Sequence, residues 1–368
     1  MAQIEYSSIF GDLTKNVQIR FDAVSAMNKR LFDSVIVENF LDWDAPTIGL
    51  NFEEILGQYN ISVVAPTIGD GSKEAIMGTN GMQTFANKTL KHAINRPMTM
   101  QTYRKILQLL DSKMVGDDAK KNELIKTMWG EVTSTVEAVY GKLDMIFLGA
   151  LSNEGKFTFD NTTNPEGGVK ETLDFNQPAS NIANAKVAWD ASNIGTVDCF
   201  EDIQGIIDAA NDKVVFDKIL LDPTMLSYIC RANNTRKMIW GSDKASKIVM
   251  LADLNEYMRS NGLPVFEPIR RNVRVQNGQT TTTLKAFNEK NLVFVPAGKL
   301  GVIKNAYADS ELKPENGVSY SNFGRIRVSQ WGVGETQGSN SVEYTKAEVN
   351  ALPVITEFNG IYTLKAKQ

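Results

Sequence analysis

The sequence predicts an α+β protein organised around one long spine helix, with an extended arm and hairpin before it and a small α/β unit after it. Three observations predict this. Leu124, Met128, Val132, Val136, Val139, Leu143, Phe147 and Ala150 recur every three or four residues across 118–152, with no proline between them, the spacing of a single helix face. Residues 58–100 read as two extended runs joined by a glycine-rich tip. Residues 197–300 alternate helix and strand signals. The 368 residues suffice for two medium domains, or for one domain with long extensions.

Composition narrows the function classes. Hydrophobic residues at 42% and charged ones at 22% match an ordinary folded soluble protein, so disorder over most of the chain is not expected. The net charge of −4 lacks the basic excess of a phosphate-binding protein, so any contact with a genome is expected to be local and weak. The two cysteines, Cys199 and Cys230, form no CxxC pair, which excludes a zinc ribbon and suits a reducing cytoplasm. Met1–Phe10 lacks the basic start and apolar core of a signal peptide, and no apolar run is long enough to span a bilayer.

Each element follows in chain order. Residues 1–57 read as an arm with helical pieces: Phe21, Val24, Met27 and Leu31 keep helical spacing, Pro46 interrupts, and Ile36, Phe40, Leu41 and Trp43 need a surface to cover them. In 58–100, Ile61–Ile68 is β-branched-rich, Gly69, Gly71, Gly78 and Gly81 mark the tip, and Thr84–Met100 alternates. Leu90, His92 and Ile94 fall on one side there, Lys91 and Asn95 on the other. A lone two-stranded hairpin is marginal in water, so a partner surface is expected. Tyr103, Ile106, Leu107 and Leu110 fit one face of a short helix over 101–114. The spine over 118–152 would be roughly 50 Å long, modestly weakened by Gly130 and Gly141. Strands follow at Lys156–Asp160 and Val169–Phe175, and Asn176–Gly195 reads as a polar connection.

Beyond it, Asp198 can cap a helix carrying Ile203, Ile206, Ile207 and Ala210. Lys218–Leu221 is a short strand, and Asp222-Pro223 opens another helix with a capping residue before a first-turn proline. Val249–Ser260 is a third helix, stopped at Asn261-Gly262. Leu263–Phe266 is a strand, Asn277-Gly278 marks a hairpin between Val273–Gln276 and Thr280–Ala286, and Asn291–Pro296 is a further strand. In 301–368, Arg325–Trp331 and Ser341–Tyr344 are expected to pair, Thr345–Asn350 to make a brief helical turn, and Leu352-Pro353 to lead into Val354–Phe358. Gly360–Ala366 then ends the chain extended.

Little of this pattern carries chemistry. The single histidine, His92, sits in the hairpin, which excludes paired-histidine metal sites; it reads as exposed or at an interface. Gly69-Asp70-Gly71-Ser72-Lys73 lacks the glycine before the lysine that a phosphate loop needs, and Gly332-Val333-Gly334-Glu335 reads as a turn. Cys199 near a helix start reads as a half-buried structural thiol, and Cys230 as core. Arg270, Arg271 and Arg274 read as a solvated face, with a face toward an acidic partner or nucleic acid as the alternative. No catalytic, cofactor-binding or metal-binding residue is expected, and no cofactor.

The order of parts, an arm, a glycine-tipped hairpin, a spine helix, a mixed α/β unit and a returning C-terminal sheet, resembles the tailed-phage major capsid fold named for phage Hong Kong ninety-seven. Local sequence resembles the lambda major head protein-like family of coat proteins. Val64-Ala65-Pro66-Thr67-Ile68 looks like the start of its E-loop, and Ala150-Leu151-Ser152-Asn153-Glu154-Gly155 like its spine ending. Asn277-Gly278 with Phe294-Val295-Pro296-Ala297-Gly298-Lys299-Leu300-Gly301 is similar to its late hairpin and strand, and Leu352-Pro353-Val354 to its close. The resemblance implies an N-terminal arm at 1–57, an E-loop at 58–100, a peripheral (P) domain at 101–196, an axial (A) domain at 197–300, and C-terminal strands at 301–368 returning to the P domain. It implies a non-enzymatic major capsid protein of the Caudoviricetes, assembling into hexamers and pentamers of an icosahedral shell around double-stranded DNA. Portal and scaffolding proteins are then partners, the virion capsid is the location, and the host cytoplasm is the place of assembly. No long scaffold-like segment precedes the arm, so scaffolding would be a separate protein or a leader that was removed or never existed. Lys73, Glu74, Met77, Phe85, Phe40 and Trp43 are the candidate assembly contacts. Two other readings remain: an encapsulin-like nanocompartment shell, decided by what the particle contains, and an α/β enzyme with a helical insertion.

Overall fold

A computed structural model describes residues 35–56, 83–98, 117–210, 213–242, 247–333 and 342–367. The elements, in order, are α1 (Val37–Phe40), β1 (Leu41–Trp43), β2 (Asn51–Leu56), β3 (Gln83–Lys88), β4 (Leu90–Met98), α2 (Asp117–Ser152), β5 (Lys156–Thr158), β6 (Thr172–Asp174) and β7 (Ile182–Asn184). Then come α3 (Cys199–Ala210), β8 (Phe216–Leu221), α4 (Pro223–Arg231), α5 (Asn233–Trp240), α6 (Leu251–Ser260), β9 (Val265–Pro268), β10 (Asn272–Asn277) and β11 (Thr280–Lys285). The chain closes with β12 (Asn291–Pro296), β13 (Gly301–Ala306), α7 (Asp309–Leu312), β14 (Ser319–Phe323), β15 (Ile326–Val333), β16 (Val342–Ile355) and β17 (Tyr362–Lys365). The arm pattern Phe21–Leu31, the glycine-rich tip with Lys73, Glu74 and Met77, and the helix expected at 101–114 lie outside the described residues.

The spine α2 is one helix of 36 residues, about 54 Å long. Val132, Val136, Val139, Leu143 and Phe147 are buried along it as their spacing predicts, and its last turns are enclosed nearly all round. It ends where Glu154 and Gly155 turn left-handed (φ 58° and 78°). The Gly155 N–H reaches back to the Ala150 carbonyl at 3.0 Å, which closes the orphan carbonyls of the last turn.

A six-stranded sheet lies along the spine. β4 pairs antiparallel with β16 from Leu90↔Ala351 to Met98↔Glu343. On the other edge of β16, β15 and β13 follow one another, β14 extends β15, and β1 joins β13 in parallel. Leu90, His92, Val349, Ala347 and Val328 are buried on the spine side. The helical turn expected at Thr345–Asn350 is instead the middle of the 14-residue strand β16: ladders on both sides outweigh local helix propensity. Pro353 sits in this strand opposite Ile303. The Thr356 N–H points to Leu300 across the β13 edge, so the odd position 353 faces the other edge, beyond the last residue paired with β4, where a missing donor costs nothing. Gly332 and Val333 are likewise strand, opposite Glu343 and Val342, and not a turn.

The second sheet has the order β7-β17-β12-β8-β9 and is covered on both faces, so every residue of β12 is buried. Ile219, Leu221, Leu292 and Phe294 face helices α3–α6, whereas Leu220, Val293 and Val295 join the core around the spine. Two expectations are corrected here. Asn176–Gly195 is more than a connection: it supplies β7 and the fully buried Trp189, whose Nε1 donates to Asp202 at 2.9 Å. The strands of 301–368 do not all return to the spine sheet, because β17 pairs with β12 and β7 in this second sheet. Asp222 caps α4 through the Thr224 N–H, with Pro223 in the first turn, as expected; α5 is an additional helix, set off by extended Ala232. In the β10–β11 hairpin the loop is Gly278-Gln279, one residue later than Asn277-Gly278, since Asn277 pairs with Thr280. Gly278 takes φ 57° at the first turn position. Val273, Val275 and Leu284 of this hairpin pack on the spine core.

Two backbone approaches demand glycine. A Cβ at Gly149 would lie 2.6 Å from the Phe157 ring, and one at Gly301 would lie 2.1 Å from the Val354 carbonyl. The second obstacle is backbone and cannot swing aside. Gly301→Ala is therefore expected to lower stability in chemical unfolding by about 2–3 kcal/mol. Gly168→Ala, where a Cβ meets nothing within 4 Å, should stay within about 0.5 kcal/mol. Equal midpoints for the two would refute the close-approach reading.

Candidate functional site

The arm and the hairpin enter the body at one junction, organised by a carboxylate inside the spine. Asp144 is fully buried. Its Oδ1 accepts the N–H groups of Ile36 (3.0 Å) and Val37 (2.8 Å). Helix α1 has no cap of its own, so the spine satisfies its first donors from more than 100 residues away. Asp144 Oδ2 lies 2.8 Å from the Arg271 Nε at the start of the β10–β11 hairpin. Burial pushes the carboxyl up to about 6, against the pull of Arg271 and the two N–H groups.

Two lysines hold the other end of this segment. Lys299 donates to the carbonyls of Glu38 (2.7 Å) and Leu41 (3.4 Å) and pairs with Asp42 at 3.1 Å. Lys304 on β13 sits between Asp44 of the arm, at 2.7 Å, and Glu54 of β2. Burial alone would lower Lys304, but hydrogen bonds to Asp44 and Glu54 outweigh it and hold the ammonium above its usual range. The bond to Lys304 correspondingly lowers Asp44. Because Glu54 belongs to the hairpin root, one ammonium ties arm, hairpin and spine sheet together.

The root itself is the β2–β3 ladder, Asn51↔Lys88 to Leu56↔Gln83. It begins seven residues before the E-loop boundary of 58 read from the sequence, inside the segment assigned to the arm. It is anchored by a chain of rings: Phe52–Phe85 at 6.1 Å, Phe85–Phe175 at 4.9 Å and Phe175–Phe358 at 5.9 Å between centroids.

The expected contact residues fall as follows. Phe40 (6% exposed, against Phe147) and Phe85 (8%) are buried in the chain's own core. Trp43 is half-buried, its Nε1 donating to Glu38 at 2.7 Å. Lys73, Glu74 and Met77 are outside the described residues. Asp144, Lys299 and Lys304 escaped the sequence reading. A signal existed for Asp144: it is the one charge in the run Leu143 to Leu151 of a core helix.

Other titratable groups are accounted for by packing. His92 is buried and not exposed or at an interface; its Nε2 donates to the Ala351 carbonyl at 3.1 Å, and burial, aided by nearby Lys142, depresses it to about 4. Cys199 is fully buried and not half-buried, and burial raises its thiol well above the usual range. Cys230 is half-buried and also raised by burial. Arg271 is not part of a solvated face, although Arg270 and Arg274 are exposed. Lys142 is lowered to about 8 by burial, with its Nζ on the Thr163 carbonyl at 2.8 Å. Among the described residues no group of three or more His, Cys, Asp or Glu could hold a metal, and no helix is long and apolar enough to cross a membrane.

The described residues thus build a spine helix flanked by two sheets, with the segment before β1 and the β2–β3 ladder tied to it at one junction. The sequence matches the family described as phage major capsid protein E over residues 55–366, and the chain belongs to that family. Among solved structures, a prophage protein of E. coli CFT073 described as a capsid protein is similar at 12% identity and TM-score 0.52, covering 77% of this chain and 79% of its own. Gordonia phage Cozz (13%, TM-score 0.44, 90% and 86% covered) and the capsid of Myoviridae phage XM1 (7%, TM-score 0.43, 90% of each covered) are also similar. No curated protein matches the sequence. The protein is thus a major capsid protein of the virion shell, a structural protein that assembles with itself, and the family sets aside the nanocompartment reading.

Asp144→Ala would leave two buried N–H groups and a guanidinium without their acceptor and is expected to cost about 3–5 kcal/mol. Asp144→Asn, which keeps Oδ1, should cost less. The folded-state value of about 6 lies above the ordinary carboxylate range, so the native state binds the proton more tightly. Stability should therefore fall as pH rises from about 4 to about 6. Unfolding of the wild type and Asp144→Asn across that range is the check: the wild-type slope should be the more negative.

Proposed function

We propose that this capsid protein closes into hexamers and pentamers of an icosahedral shell around double-stranded DNA. The junction just described carries the reading. It fixes where the arm and hairpin leave the body, and so allows those segments to act as straps laid on neighbouring copies. In this proposal 1–57 and 58–100 are the arm and E-loop, with the hairpin's root reaching back to Asn51. Residues 101–196 form the P domain, 197–300 the A domain, and 301–368 the closing strands, with β7 and β17 exchanged into the A-domain sheet. Phe40 and Phe85 then act as anchors inside one copy, and Trp43, Lys73, Glu74 and Met77 as contacts between copies. Contacts made by straps are individually modest and become strong through number and ring closure.

The role is structural and not catalytic. A neutral, bonded His92 and two thiols raised by burial are poor bases and nucleophiles, which supports it. Portal and scaffolding proteins are further partners, assembly takes place in the host cytoplasm, and DNA is met weakly on the inner face.

Purified protein should sediment as closed rings or shells and show them in negative-stain micrographs; a lone monomer under all assembly conditions would overturn the proposal. Unassembled subunits, at net charge −4, should bind duplex DNA weakly, with a shallow dependence of log affinity on log salt. Tight binding at physiological salt would contradict the weak inner-face contact.

A further inference from the structure

The helical layer over the second sheet carries two unlike surfaces. On one, at the end of α5 and the approach to α6, Lys247 Nζ lies 3.4 Å from the centroid of the Trp240 ring. Around that pair Met238, Ile248 and Met250 are 42%, 74% and 66% exposed. Lys237, one turn before Trp240, is exposed as well, and neither lysine is ion-paired among the described residues. Protruding apolar side chains close in sequence to cations that make no ion pair among the described residues mark a contact surface that the described residues do not cover.

On the other, α3 packs over β17, next to the edge strand β7. Its outward face carries Glu201, Gly205 and Asp208, four and three residues apart and all exposed. Gly205 sits in mid-helix, where glycine costs about 1 kcal/mol relative to alanine. A Cβ there would meet nothing within 4 Å, so no contact among the described residues requires the glycine. Among the described residues, Glu201 pairs only with exposed Lys186, and Asp208 is held only by Gln204. The result is a bare backbone notch between two carboxylates.

We propose that these surfaces are the two halves of one contact between copies: Ile248 and Met250 of one copy seat over Gly205 of the next, with Lys237 and Lys247 facing Glu201 and Asp208. This rests on the shell reading and names one interface within it. A second copy is the occupant because the charges are opposite and protruding side chains on one surface meet an unfilled backbone position on the other. The two halves are different surfaces of the chain, so the contact is heterologous and its repetition runs head to tail. A nucleic acid would engage the two lysines but leave the glycine notch without a role.

The full-length chain tests this. Asp208→Lys and Lys247→Glu should each cut the yield of assembled particles at least about tenfold, equivalent to about 1.4 kcal/mol. The double variant should recover most of that loss. Gly205→Gln should leave the thermal midpoint of the subunit unchanged or raised while lowering assembly, a split that a folding defect cannot produce. Met250→Ser, at an exposed position, should also lower assembly without moving the midpoint. Wild-type shells together with normal assembly of these variants, or a double variant no better than the singles, would overturn this contact and leave the shell reading standing. A wild type that never assembles would overturn both.

Discussion

A carboxylate enclosed in the spine helix is the constraint on which the junction depends. Taking Asp144 out of water is costly, and burial pushes its pKa up accordingly. What offsets that cost is specific: two N–H groups at the start of α1 and the Arg271 guanidinium ahead of the β10–β11 hairpin. A hydrophobic residue in its place could fill the volume but could not say which backbone donors belong there. The charge therefore sets the register of the arm against the spine, a task that non-directional apolar packing around Phe40 and Phe147 cannot perform.

From that point the other joints follow. Once Ile36 and Val37 are fixed, the segment after α1 runs beside β13, with Leu41↔Gly301 through Trp43↔Ile303 in parallel register. Lys299 and Lys304 then meet Asp42, Asp44 and Glu54. The hairpin root inherits its direction from Lys304 and from the ring chain ending at Phe358. Phe358 belongs to the link between β16 and β17, where the chain crosses from one sheet to the other. The hairpin root is therefore set by the passage that joins the two sheets.

Much of this architecture was legible in the sequence because its signals are local. The spine shows in eight apolar positions at helical spacing, the cap before α4 in Asp222-Pro223, and the inward face of β4 in the alternation of Leu90, His92 and Ile94. The errors share one cause, long-range pairing that local residues do not announce. Thr345–Asn350 contains good helix formers and became strand because β4 and β15 flank it. Asn176–Gly195 looks polar and small, yet it completes a sheet edge against the last strand of the chain. His92 is polar by type, but its single bond to Ala351 makes it a core residue. Of the junction, the aromatic anchors were visible as residues in need of cover. The ionic ties were not, since Lys304 meets Asp44 across 260 positions of sequence.

The protein thus uses charge in two opposite ways. At the heart of the junction, buried Asp144 is paired with Arg271 in fixed geometry, where low dielectric makes each partner hard to replace and the arrangement hard to undo. On the helical layer, Lys237, Lys247, Glu201 and Asp208 remain in water, where each interaction is weak and salt-screened. A subunit that must hold its own shape while joining neighbours reversibly needs both. The joints fix the start of α1 and the β2–β3 ladder against the spine and its sheet. In the proposed ring, weak exposed charges would let a misplaced neighbour leave before closure, and closure would then multiply contacts that are individually too weak to trap an error.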